Sequence, residues 1–245
     1  VLNMERLMLL KGFIDKLDQF VKSTYLTDVP AVGAFYLDWT KYGGGINNYL
    51  TVPDCPQDTK GTVFDLPGGF IAGGDLKSYK PITTFNDEYF RDGVAESSKH
   101  SWYTGEKALH PWQGETEPQY TDFQDNGKYS WVKAPTFYGK RCEVGPLADV
   151  HNGVAAGNPR YVKYLNQAIG TLKAVGKLND VPLAALQSTI GRHAARAVRC
   201  AVMMDTLKDQ WQKLVENIGK DQTTFNAPSF PKGEFSVEVA AKTNE

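Results

Sequence analysis

The sequence predicts a mainly α protein with an irregular, partly β middle, folded as one domain over residues 1–245. Apolar residues recur every three and four positions near both ends, in 1–27 and 159–219, which is the period of an amphipathic helix. Between these segments, 28–85 is rich in Gly and Pro, and 86–148 is rich in aromatic residues. Such turn residues interrupt long helices, so we expect loops and short strands in the middle.

The first predicted element is a helix within residues 1–27. Met4, Leu7, Phe13 and Leu17 belong to an apolar stripe at helical spacing, and charged residues occupy another face. Because the stripe is wide, we expect this helix to be substantially buried.

Glycine and proline clusters divide residues 28–85 into loops and short strands. The apolar runs at 49–52 and 62–64 have the length and bounding turns of strands. The glycines at 43–45 are not followed by Lys-Ser/Thr, and no GxGxxG opens a helix, so neither phosphate-binding motif is present. We interpret these glycines as turn residues that supply positive φ.

Two charged residues stand out in the aromatic region 86–148. The pattern predicts a short helix over 86–99 that carries Glu96, followed by a long, turn-rich aromatic loop that carries Lys133. Charged side chains buried among aromatic rings must be paired or face a bound ion. The residues alone leave a structural pair and a functional site both open.

A pair of long helices is predicted over 159–219, followed by a polar tail at 220–245. The first covers 159–175. The second starts near the capping residue Asp180 and ends at Gly219, which makes it about 38 residues or roughly 57 Å long. Its middle is rich in Gly and Ala, so we expect a neighbouring helix to approach it closely.

Composition and motifs argue against several function classes. With 27 Lys and Arg against 28 Asp and Glu, the net charge of −1 gives no electrostatic signature of binding to nucleic acid or to an anionic membrane surface. No apolar run approaches the roughly 20 residues of a membrane-spanning helix, and the first residues are not typical of a signal peptide. HExxH and GxSxG are absent, and we interpret His193 as a packed or hydrogen-bonded residue of the long helix.

The three cysteines form no recognisable metal or disulfide motif. Cys55, Cys142 and Cys200 lie far apart, and no CxxC occurs. We interpret them as packing or surface thiols.

Four motifs, in the same order, resemble the middle of the large subunit of nickel–iron hydrogenases. Two shorter motifs, STIGR at 188–192 and NIGKD at 217–221, support the resemblance, and residues 1–22 and 64–82 are most similar to the membrane-associated uptake type. The resemblance implies the long-helix bundle portion of that large-subunit fold. The four motifs are HSWY at 100–103, HPWQGET at 110–116, KYSWVKAP at 128–135 and EVGPLA at 143–148.

The resemblance also implies an activity, cofactors and a partner. The family's large subunit oxidises H2 reversibly to protons and electrons at a nickel–iron centre held by two cysteine pairs, and an iron–sulfur small subunit is its partner. The family also carries magnesium, with an acid and a lysine in the outer coordination sphere; by position in the motifs these are Glu96 and Lys133. The resemblance suggests the periplasmic face of the cytoplasmic membrane, with no membrane span in this chain.

This sequence contains neither cysteine pair. We therefore expect an internal segment, a single partial domain, that supplies scaffold and outer-sphere magnesium groups but no direct nickel–iron ligand, no catalytic residue and no complete cofactor site. The isolated 245-residue chain is expected to be inactive. The alternatives are a non-catalytic scaffold or interaction module derived from a hydrogenase large subunit, and an unrelated enzyme that uses Glu96 or a histidine.

Overall fold

The computed structural model describes residues 3–58, 60–84, 86–108 and 116–221. These residues form two compact units: one contains the described residues up to 84 and from 142 onward, and the other contains those of 86–141. A single domain over the whole chain stays a prediction. The HPWQGET motif, apart from its last residue, lies outside the described residues.

The described residues confirm a mainly α fold with short strands in the middle. The helices are α1 Met4–Phe20, α2 Leu26–Gly33, α3 Glu88–Gly93, α4 Pro146–Ala155, α5 Pro159–Gly176 and α6 Thr189–Gly219. The strands are β1 Tyr49–Thr51, β2 Asp54–Pro56, β3 Phe64–Leu66, β4 Gly68–Ile71, β5 Lys80–Ile82, β6 Val94–Ser97, β7 Lys107–Ala108 and β8 Ala134–Phe137.

The first helical segment is longer than the sequence predicts and much less buried. Asn3 caps α1 by accepting a hydrogen bond from the Arg6 N–H at 2.9 Å. The helix continues through a π-helical turn, Val21–Tyr25, into α2, which contains Pro30 in its interior. Within α1 only Leu7 is buried. The expected burial is therefore wrong: α1 packs against α6, and most of its other apolar side chains face solvent.

Two small antiparallel sheets occupy the glycine-rich part of the first unit. One has the strand order β1-β4-β5, and the other pairs β2 with β3. β1 forms where the sequence predicts a strand, whereas β3 begins at Phe64, the last residue of the predicted strand. β4 is buried along its whole length, and a Cβ at Gly68 would lie 2.5 Å from the Pro53 nitrogen. Gly68 therefore permits close packing of neighbouring backbone, and forms part of a strand rather than a turn.

The core of the first unit lies where α4, α5 and α6 meet and where α4 covers β1. Leu147, Val150, Tyr161, Val198 and Val202 are all at most 2% exposed. The sequence does not predict α4 as a separate helix, although Pro at its first position is a known start signal. Burial of its face against α5, α6, β1 and β4 stabilises it.

The long helix α6 starts later than the sequence predicts. Its N-cap is Ser188, whose hydroxyl accepts a hydrogen bond from the Gly191 N–H at 3.0 Å, and a short 3-10 turn, Leu183–Leu186, precedes it. The helix has 31 residues, or roughly 46 Å at 1.5 Å per residue. The region after Asp180 is therefore a turn before a capped helix, and not the first part of one continuous helix.

The second unit is a three-stranded antiparallel sheet, β7-β6-β8, with the short helix α3 before it. The predicted helix over 86–99 is correct only for its first half. A Cβ at Gly93 would lie 2.4 Å from the Phe137 ring, so the chain passes close to β8 at that point. From Val94 onward the backbone pairs with β8, and Glu96 consequently lies on a strand, not on a helix.

Candidate functional site

Glu96 and Lys133 lie side by side in the second unit. Glu96 is on β6, and Lys133 immediately precedes β8, its antiparallel neighbour. Lys133 Nζ is 2.7 Å from Glu96 Oε2, and the two side chains are 26% and 39% exposed, respectively. The ammonium also lies 5.4 Å from the centroid of the Tyr103 ring. The two charges are therefore half-buried and paired.

The aromatic loop around this pair is packed by its own side chains. The Trp131 ring centroid lies 5.2 Å from that of Trp102 and 5.9 Å from that of Tyr103, and both contacts are edge-to-face. Lys128 Nζ donates to the carbonyl oxygens of Ser101, Tyr103 and Gly105. A long loop must satisfy its backbone groups, and Lys128 does this for three of them. The rings and this lysine together hold Tyr103 against Lys133.

The donors of the pair decide what it can do toward a cation. Magnesium takes six oxygen ligands, several of which are commonly water. Glu96 offers one carboxylate, one oxygen of which is already bound by Lys133. Within the described part of the chain, no group of three or more His, Cys, Asp or Glu could hold a metal ion. The pair by itself therefore supplies too few oxygen ligands to form a complete magnesium site.

The cysteines do not fit a nickel–iron centre. Cys55, Cys142 and Cys200 are half-buried and form no disulfide with one another, and none belongs to a metal-binding group in the described ranges. Burial raises the pKa of the Cys55 thiol, which disfavours the thiolate that a soft metal requires. No step of hydrogen chemistry is therefore assigned to these residues.

A second charged pair joins two of the sequence motifs in the first unit. Arg192, in STIGR, binds Glu143, in EVGPLA, with Nε 2.6 Å from Oε1 and Nη2 2.7 Å from Oε2. The same guanidinium donates from Nη1 to the Gly43 carbonyl and from Nη2 to the Gly44 carbonyl at 3.4 Å. The hydrogen bonds that Arg192 donates to Glu143 raise the pKa of the guanidinium above its usual value. We call this arrangement the Arg192 clamp. Both motifs can be recognised in the sequence, but the contact between them was not predicted from it.

A buried aromatic pair lies next to the clamp. His151 stacks on Tyr49 with ring centroids 4.3 Å apart, and its Nδ1 is 3.0 Å from the Leu147 carbonyl oxygen. Burial is the main cause that lowers the pKa of His151. Burial, followed by the charge of Glu143, raises the pKa of Tyr49 to about 12. Both rings are therefore held neutral near pH 7.

His193 is exposed, whereas the sequence led us to interpret it as a packed or hydrogen-bonded residue. It lies on the exposed side of α6, where it borders a groove between that helix and α2.

No helix in the described ranges is long and apolar enough to cross a membrane.

Comparison with known proteins agrees with the motifs. The family described as nickel-dependent hydrogenase matches residues 1–243. The Hydrogenase-2 large chain of Escherichia coli (strain K12) is 48% identical over 237 residues, covering 96% of this chain and 42% of that protein. The uptake hydrogenase large subunit of Rhodobacter capsulatus is 36% identical over 260 residues, covering 97% of this chain and 42% of that protein. The chain thus spans less than half the length of these relatives.

Solved structures show the same fold. The Ni-Fe-Se hydrogenase from Desulfovibrio vulgaris Hildenborough in the reduced state superposes with a TM-score of 0.69 at 24% identity, covering 87% of this chain and 42% of that chain. The H2-activated enzyme from Dm. baculatum gives a TM-score of 0.64 at 24% identity, covering 96% and 43%. On the family match and the 48% identity, this chain belongs to the nickel-dependent hydrogenase family and corresponds to a segment of its large chain.

Proposed function

We propose that this chain serves as the middle section of the catalytic large subunit of a nickel–iron hydrogenase, which interconverts H2 with protons and electrons. The main support is the 48% identity with the Hydrogenase-2 large chain along 96% of this chain. In this role the chain supplies scaffold, in which the Arg192 clamp joins the start of α6 to the glycine loop at 43–45. A non-catalytic module derived from a large subunit is the alternative, favoured by the scattered cysteines.

The proposed role brings cofactors and a partner. A bound nickel–iron centre would supply H2 cleavage and electron transfer, and an iron–sulfur small subunit would accept the electrons. Among the relatives are uptake hydrogenases and the quinone-reactive Ni/Fe-hydrogenase of Wolinella succinogenes, which is 32% identical over 235 residues. As the sequence resemblance implies, we propose a place at the periplasmic face of the cytoplasmic membrane.

For Glu96 and Lys133 we propose an outer-sphere role at a magnesium ion. Such an ion would supply a fixed positive charge that organises its ligands and waters. Glu96 has the oxygen to accept a hydrogen bond from a metal-bound water. Lys133 neutralises Glu96 and fixes its orientation through their 2.7 Å contact. The open side of the pair and its single carboxylate are the reasons to place it outside the direct ligands.

A segment exchange tests the proposed function. In the E. coli Hydrogenase-2 large chain, the aligned segment would be replaced by this chain and the enzyme assayed for H2-dependent dye reduction and bound nickel. We expect activity within about tenfold of the parent. A chimera that binds nickel stoichiometrically without turnover would contradict the proposal. The isolated chain should bind no stoichiometric nickel and reduce no dye with H2.

The role of the pair is tested in the same chimera. Lys133→Met should lower the bound magnesium per enzyme, measured by elemental analysis, while Lys99→Met, at an exposed lysine of the same unit, should leave it unchanged. Glu96→Gln should lower the bound magnesium per enzyme as Lys133→Met does. Full magnesium content in both variants of the pair would rule out the outer-sphere role.

A further inference from the structure

A groove of about 440 Å³ lies in the first unit between α2, the 3-10 turn Leu37–Lys41, and α6. Its walls are mainly aromatic and apolar, and neither the Arg192 clamp nor the Glu96–Lys133 pair contributes to it. We call it the aromatic groove.

Two tyrosines and a tryptophan line this groove, and the imidazole of His193 borders it on the side of α6. The Tyr36 and Trp39 rings have centroids 5.2 Å apart at 59°, and their side chains are 46% and 47% exposed. Tyr25, from the π-helical turn, is the third. Large aromatic rings left half-exposed along a concave surface are costly in water unless they meet a ligand. Aromatic faces also attract cations through their quadrupole, Trp most strongly.

One exposed carboxylate lines the same groove as these rings. Asp28, in the first turn of α2, lines the aromatic groove, and it has no hydrogen-bond or ion-pair partner among the residues that the structure describes. By contrast, Asp18 and Asp205 both bind Lys22 elsewhere in the same unit. An unpaired negative charge beside three aromatic rings makes the groove complementary to a cation that also has a flat or apolar part.

The backbone beside the groove is unusual. The Leu26 N–H donates to the Val21 carbonyl, five residues earlier, which defines the π-helical turn ending at Tyr25. Single π-helical turns are frequent at functional sites, because they shift the side chains that follow them around the helix. Here the shift accompanies the placement of Tyr25 and Asp28 in one groove.

We propose that the aromatic groove binds the guanidinium group of an arginine on a partner polypeptide. A guanidinium is planar, stacks on aromatic faces and forks onto a carboxylate, which suits Trp39, Tyr36 and Asp28 better than a compact ammonium does. The groove is larger than a guanidinium and is bounded by Val29, Val32 and Ile190, so it also accommodates the aliphatic stem and neighbouring residues. These features favour an arginine within a peptide over a small cation.

The test uses the full 245-residue chain and two short peptides, acetyl-Gly-Arg-Gly-amide and its Gln counterpart. Binding is followed by the NMR shift of the Trp39 indole N–H, assigned with Trp39→Phe, at about pH 8, where histidine is ordinarily neutral. We expect a saturable shift with the Arg peptide and none with the Gln peptide. Asp28→Asn should weaken binding by about fivefold or more.

Matched controls separate the groove from general charge effects. Asp38→Asn makes the same change at an exposed residue of the neighbouring turn that does not line the groove, and it should leave affinity unchanged. Trp39→Leu keeps an apolar side chain but removes the π face, and it should weaken binding of the Arg peptide; because this variant lacks the indole N–H, its affinity is measured by isothermal titration calorimetry alongside the unaltered chain. Equal binding of the two peptides, equal effects of the two Asp variants, or tighter binding of tetramethylammonium than of the Arg peptide would each overturn the proposal.

Discussion

At the scale of single residues, the first unit is organised by a few charged and polar contacts between distant positions. Arg192 and Glu143 lie 49 positions apart and form a bidentate pair, whose guanidinium also reaches two glycine carbonyls. Bidentate, charge-assisted hydrogen bonds are stronger and more specific than single ones. Next to them, His151 and Tyr49 are stacked and buried. These contacts fix where the glycine loop, β1, α4 and α6 meet.

The Arg192 clamp gives the first prediction. Arg192→Lys keeps the charge but cannot bind both carboxylate oxygens of Glu143 and the glycine carbonyls at once. We expect it to lower the free energy of unfolding by about 2 kcal/mol, measured by urea denaturation. Arg196→Lys makes the same change at an exposed position of α6 and should alter stability by less than about 0.5 kcal/mol. Equal effects of the two variants would contradict the clamp.

His151 gives a prediction about pH. Its pKa in the folded chain lies below the usual value of 6.5, because burial disfavours the imidazolium despite the nearby charge of Glu143. The unfolded chain therefore binds more protons between the two pKa values. The stability that His151 contributes is fully present above about pH 6.5 and is lost as pH falls through that range. Urea denaturation at pH 7 and pH 5 should show a larger loss for the unaltered chain than for His151→Gln, and parallel losses would refute this.

At the scale of elements, glycine has different roles in the two long helices. Gly191 begins α6 against the 3-10 turn before it, and a Cβ there would lie 2.2 Å from the Leu186 carbonyl oxygen. The sequence predicts that a neighbouring helix approaches this Gly/Ala-rich region closely. At Gly191 the segment that approaches is instead the 3-10 turn that precedes α6. Gly170 lies in the exposed part of α5, and a Cβ there would meet nothing within 4 Å.

These two glycines form a matched pair for mutation. Gly170→Ala should stabilise the chain by about 0.5–1 kcal/mol, because alanine has the higher helix propensity and no neighbour is displaced. Gly191→Ala should destabilise it by about 2 kcal/mol or more, because the added methyl group overlaps backbone that cannot move freely. Thermal and urea denaturation measure the change in stability of both variants. A stabilising Gly191→Ala would show that the turn before α6 yields easily.

At the scale of the whole molecule, the largest departure from expectation is the exposed apolar face of α1. Its outer stripe consists of side chains at helical spacing that are all at least 42% exposed: Leu9, Leu10, Phe13, Leu17 and Phe20. The long helix α6 exposes fewer large apolar residues, among them Leu207, Leu214 and Ile218. Contiguous apolar surface of this kind marks a face that binds another protein surface or promotes association.

The outer stripe of α1 leads to a test on the isolated chain. Phe13→Lys should reduce the fluorescence of a bound hydrophobic dye and the tendency to associate, while changing the free energy of unfolding by less than about 0.5 kcal/mol. Leu7→Lys, at the buried position of the same helix, should instead cost several kcal/mol. A chain that binds no dye before mutation would show that this stripe is covered in solution.

The sequence by itself determined the mainly α class, the helix α5, the strand β1 and the family, because helical periodicity and ordered motifs are local signals. It also singled out Glu96 and Lys133, whose functional role stays a prediction. The strand assignment of Glu96, the late start of α6 and the Arg192 clamp depend on contacts between residues far apart in the chain. Only the tertiary structure decides these, because pairing with β8, the turn before Ser188 and the bonds to Glu143 override local propensity.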